Sequence, residues 1–163
     1  MEEEMKIPTE LKHKPVFVVE NYGSADGRSA GTGDAQGLSV GLAQWNDRGR
    51  VDISAKVWRH TGEKWSRQSE ELPLHRVLDL AIVIAKAIAW SKESYRYSDG
   101  YDKDNPIIDR IGLQGDALTL SIAQDNPCIC EDLKLFLAAL SKDDELISER
   151  LAVLSSLLRE MGY

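Results

Sequence analysis

Apolar and polar positions alternate with a period of two from Leu38 to about Glu71, and the pattern then changes to a helical one. Leu38, Val40 and Leu42 alternate with Ser39, Gly41 and Ala43. Val51, Ile53, Ala55 and Val57 alternate with Asp52, Ser54, Lys56 and Trp58. Arg48-Gly49 and Thr61-Gly62 punctuate these runs as hairpin turns. With two-residue turns, Trp45 falls opposite Asp52, Trp58 opposite Trp65, and Lys56 opposite Arg67. Leu42 and Val40 then share a face with Ala55 and Val57. A three-residue first loop would instead flip the first strand and bury Trp45, and the apolar pattern favours the shorter turn. Upstream, Pro15 opens Val16-Phe17-Val18-Val19, a short strand suited to a sheet edge.

Helical spacing begins at Pro73, a residue at home in a first helical turn. Leu74, Val77, Leu78, Ala81, Ile84, Ala85 and Ile88 form one stripe. Leu80, Val83 and Ala87 widen it, so this helix is expected to be buried on most sides. Ile107 to Ile122 reads as a hairpin turning at Gln114-Gly115-Asp116. Pro127 precedes a helix through Leu133, Phe136, Leu137 and Leu140. Ser141 with Asp144 resembles a capping box for a last helix that stops near Gly162. Asn21 to Gly37 carries five glycines and reads as a long loop. The expected architecture is α+β: a twisted antiparallel sheet of about five to six strands packed on helices, in the order β-β-β-β-α-β-β-α-α. Residues 1–14 are polar and expected to be flexible. Residues 15–163 are expected to form a single domain, with a sheet–helix half at 15–92 and a hairpin–helix half at 106–163.

Composition narrows the class. At 163 residues, with 42% hydrophobic and 29% charged positions, the chain can bury a core without staples. Its longest apolar run, Leu78 to Trp90, is interrupted by Asp79 and Lys86 and is too short to span a bilayer. Met1 to Glu4 is acidic, unlike a signal peptide. Cys128 and Cys130 stand one residue apart, a poor disulfide pair that suits a reducing compartment. A cytoplasmic protein with no membrane partner, no metal and no cofactor is expected. The net charge is −7. Residues 1–92 hold 13 acidic and 13 basic side chains, whereas residues 93–163 hold 14 and 7. The acidic half weakens nucleic-acid binding, while the balanced half leaves room for a local basic face.

Candidate chemistry concentrates on the polar face of residues 38–71. Trp45, Trp58 and Trp65 could stack bases, worth about 1–3 kcal/mol each. Arg48, Arg50, Lys56, Lys64 and Arg67 could neutralise phosphates beside them. The competing reading is that the indoles cover a second hydrophobic layer. The glycine loop lacks the strand–loop–helix order and the Gly-Lys-Ser/Thr of a phosphate loop. His60 and Ser54 are too far apart along one strand to act as base and nucleophile. Asp99, Asp102 and Asp104 lack the glycine and terminal Glu of a calcium loop. No catalytic residue is expected.

Gln44-Trp45-Asn46, Val51-Asp52-Ile53, Val57-Trp58, Glu63-Lys64-Trp65 and Glu70-Glu71-Leu72-Pro73 together resemble the positive-cofactor-four coactivators and, more loosely, the plant Whirly proteins. The resemblance covers residues 38–78. It implies a four-stranded sheet on a helix, association of two copies, and a grip on single-stranded nucleic acid. As a whole, the chain is similar to a small uncharacterised bacterial family. The leading expectation is a non-catalytic module, homodimeric, that binds single-stranded nucleic acid or serves transcription. The alternative is a protein–protein interaction or dimerisation domain, with a small nucleotide-using enzyme third.

Overall fold

The structure is a computed structural model, and it describes residues 5–47, 49, 51–67 and 69–163. The fold is α+β, with the expected element order. Four strands come first: β1 (Lys14–Val19), β2 (Ala35–Leu42), β3 (Ile53–Arg59) and β4 (Glu70–Pro73). Helix α1 (Leu74–Ser91), the hairpin β5 (Ile107–Gly112) and β6 (Ala117–Ser121), and helices α2 (Ile129–Lys142) and α3 (Asp144–Glu160) follow. The strands do not join into one sheet of five or six. They form a four-stranded antiparallel sheet in the order β1-β2-β3-β4 and a separate two-stranded one, β5-β6. Two compact units divide between Ala81 and Ile82, inside α1.

In the first unit, β1 is an edge strand with a bulge between Pro15 and Phe17. The β2–β3 pairing sets Val40 opposite Ala55 and Leu42 opposite Ile53. The two-residue turn at Arg48-Gly49 predicts a register two residues away from this one. The faces survive, because a shift of two preserves side-chain alternation. The difference comes from Asn46. Its side chain accepts from the Asp52 amide and donates to the Asp52 carbonyl at 2.8 and 3.1 Å. It thus takes the place of a ladder residue and lengthens the loop. The β3–β4 hairpin departs further. Thr61 and Lys64 close a turn, His60 bridges Trp65, and β4 starts only at Glu70. Lys56 is therefore paired with Glu71 rather than with Arg67.

In the second unit the hairpin turns where expected, with the Leu113 amide bonded to the Asp116 carbonyl. The capping box does not form. Ser141 lies inside α2, and Asp143 is the residue that precedes α3. Helix α1 was expected to be buried on most sides, yet none of its residues is fully buried. Leu78, Leu80 and Ile84 are at least half exposed. A helix that is apolar nearly all round keeps surface to cover in this structure.

Candidate functional site: two faces of one sheet

Alternation gives the four-stranded sheet one polar face and one apolar face. The polar face presents Ser39 from β2, Ser54, Lys56 and Trp58 from β3, and Glu71 from β4. Glycines at 37 and 41 leave room above it. A Cβ at Gly37 would lie 2.7 Å from Ile7 Cδ1, and one at Gly41 would run into the Lys14 carbonyl. The amino-terminal segment uses that room. Ile7 is buried, its amide bonds Glu20, and the Lys6 carbonyl accepts from Trp65 Nε1. His13 is buried in the middle of the face.

A closed polar network results. Trp58 Nε1 donates to Ser39 Oγ at 2.8 Å. His13 Nε2 lies 2.9 Å from the same hydroxyl, and Nδ1 lies 3.0 Å from Ser54 Oγ and 3.3 Å from Glu71 Oε1. Glu71 Oε1 is buried and has no other hydrogen-bonding neighbour among the described residues. A carboxylate only accepts, so the network favours the tautomer with its proton on Nδ1. Its other oxygen accepts from the Gln44 amide. Burial lowers the His13 pKa against the opposing pull of Glu71, and Lys56 adds to the lowering. Burial also lowers the pKa of Lys56, whose ammonium sits 3.8 Å from the centroid of the Trp58 ring.

These contacts correct the expected row of open indoles. Trp58 is 1% exposed, sealed by the amino-terminal segment and by an edge contact with Trp65 at 5.8 Å between centroids. Residues 5–13, expected to be flexible, are anchored through Ile7 and His13. Trp45 lies off the strands in the β2–β3 loop, 39% exposed, with its N–H on Asp52. Trp65 is half-buried against His60. Lys64 and Arg67 are exposed in the β3–β4 connection, not on a strand. Arg48 and Arg50 lie outside the described residues. Arg59, on the other face, is held by Asp34 at 2.7 Å and Glu70 at 2.6 Å, which raises its pKa and lowers that of Glu70. The structure thus brings Lys56, Trp58 and Trp65 together and leaves Trp45, Lys64 and Arg67 apart from that group. His13 escapes sequence reasoning, because a polar segment such as residues 1–14 carries no periodic signal, and with it goes the role of Ser39, Ser54 and Glu71 as its partners. The small residues Gly37, Ser39 and Gly41 were the available hint that something packs above them.

The apolar face is the more accessible one. Phe17 and Val19 of β1, Leu38, Val40 and Leu42 of β2, and Ile53, Ala55 and Val57 of β3 lie on it. Phe17 is 70% exposed, Ile53 49%, Val19 43% and Leu42 38%. Lys14 and the Arg59–Glu70 pair stand at its margins. Groups of three or more His, Cys, Asp or Glu side chains able to hold a metal are absent among the described residues. No helix among them is long and apolar enough to cross a membrane. Residues 5–163 match a family described as a family of unknown function (DUF6530). No curated protein and no solved structure matches the chain.

Proposed function

The chain belongs to the DUF6530 family, and we propose that it acts as a non-catalytic interaction module whose apolar sheet face docks a second copy of itself. The observation that carries this reading is the exposure of Phe17, Val19, Leu42 and Ile53 on one face. Contiguous apolar patches with a polar rim mark interaction surfaces. Four strands spaced about 4.8 Å apart, with a rise of about 3.3 Å per residue, make a face of roughly 300–400 Å². That suits the centre of an interface of about 800 Å² per partner rather than the whole of it. A two-fold pair of such faces is self-complementary, apolar against apolar at about 10 Å.

Docking by strand addition at β1 is the weaker alternative. Lys14, Pro15 and the bulge at Val16 are features that blunt an edge against pairing. Single-stranded nucleic acid is also less favoured as a ligand, since Trp58 is covered and Lys56 faces Glu71. A cytoplasmic setting belongs to the proposal and is supported by two free thiols, Cys128 and Cys130. The test is sedimentation of the full chain over a concentration series. Self-association that Phe17→Glu abolishes, with circular dichroism unchanged, supports the reading. A monomer at all concentrations would overturn it. Quenching of tryptophan emission by oligonucleotides, reversed by salt, would favour the nucleic-acid reading instead.

A further inference from the structure

A cleft of about 510 Å³ opens in the second unit, between the end of α1, the loop that follows, α2 and α3. Its volume lies within the range of about 300–1,000 Å³ that small-molecule sites occupy. Its floor is aliphatic: Ile88, Leu137, Leu140, Ile147 and Leu151. None of these five is fully buried, so packing within the unit leaves them surface to offer. One wall is a built loop. The buried Ser94 hydroxyl donates to the Gly100 carbonyl, and Gly100 takes a φ of 88°. A side chain at Gly100 would meet Leu133 Cδ2 at 2.9 Å, so the loop packs on α2 at that point. Tyr95 and Tyr97 stand exposed on this wall.

Charge at the cleft runs against that of its surroundings. Residues 93–163 hold 14 acidic and 7 basic side chains. Lys86 and Lys103 are bonded to Asp109 and Asp99. Lys92 and Lys134, by contrast, line the cleft and have no carboxylate partner among the described residues. Asp144 is the one acidic side chain there, and its carboxylate already accepts from Ser148. The floor is short. Leu137 to Leu140 and Ile147 to Leu151 each span about one helical turn, roughly 5 Å. An amphipathic helix docks through anchors spread over two turns or more and would overrun it.

We infer that this cleft binds a single-chain amphiphile with an anionic head: the aliphatic floor takes the chain, and Lys92 with Lys134 takes the carboxylate. Calorimetric titration of the full chain with dodecanoate, below its micelle concentration, tests this. Dodecanol and dodecyltrimethylammonium serve as neutral and cationic comparators. Dodecanoate is expected to bind, and the cation at least about tenfold more weakly. Lys92→Gln with Lys134→Gln is expected to weaken dodecanoate about tenfold and leave dodecanol unchanged. Leu151→Trp, checked for folding by circular dichroism, is expected to fill the cleft and block both. No binding of dodecanoate, equal binding of the cation, an unaffected lysine double variant, or full binding by a folded Leu151→Trp variant would each overturn the inference. So would an acidic amphipathic peptide binding there while dodecanoate does not.

Discussion

His13 is an imidazole with two serine hydroxyls, a carboxylate and an indole around it and almost no water. Its pKa is lowered, so between the unfolded value near 6.5 and the lower folded value the unfolded chain binds more protons. The stability it contributes is fully present above about pH 6.5 and is lost as pH falls through that window. The melting temperature is therefore expected to drop more steeply from about pH 7 to pH 5 in the natural chain than in His13→Gln. Parallel pH profiles would count against a neutral buried imidazole. Trp58 makes a second residue-scale claim. Its truncation to Ala should cost about 3–5 kcal/mol as a cavity opens. Trp58→Phe keeps most of the ring but removes the N–H donor to Ser39, and should cost about 1–3 kcal/mol in denaturant titration. A Trp58→Ala variant as stable as the parent would mean that the ring is not core.

At the scale of elements, the amino-terminal segment behaves as part of the sheet's packing. Ile7→Asp is expected to unseat it, shift tryptophan emission to the red and raise quenching by acrylamide. Unchanged emission would mean that Ile7 does not hold the cover in place. Strand positions were legible because alternation encodes which side each residue takes, and that survives a register slip of two. Turn registers were less legible. Asn46 substitutes a side chain for backbone pairing, and the Thr61–Lys64 closure puts Gly62-Glu63 in the second turn, one residue later than Thr61-Gly62. Alternation locates the polar face but carries no information on its accessibility. Lys56 and Trp58 do share it, yet the cover comes from a segment whose sequence has no periodicity to announce it. The division of the strands into two sheets also lay beyond the pattern, since alternation says nothing about which strands become neighbours.

At the scale of the molecule, the four-stranded sheet leaves Phe17, Val19, Leu42 and Ile53 exposed on one apolar face. Under the proposed function a second copy covers this face. Because Phe17 and Ile53 are 70% and 49% exposed, changing them to charged residues should leave folding intact and act on association alone. Sedimentation equilibrium of the natural chain beside Phe17→Glu and Ile53→Lys is the most direct test. A concentration-dependent dimer is expected for the natural chain and monomers for both variants. A natural chain that stays monomeric, or folded variants that dimerise as well as it does, would contradict that expectation.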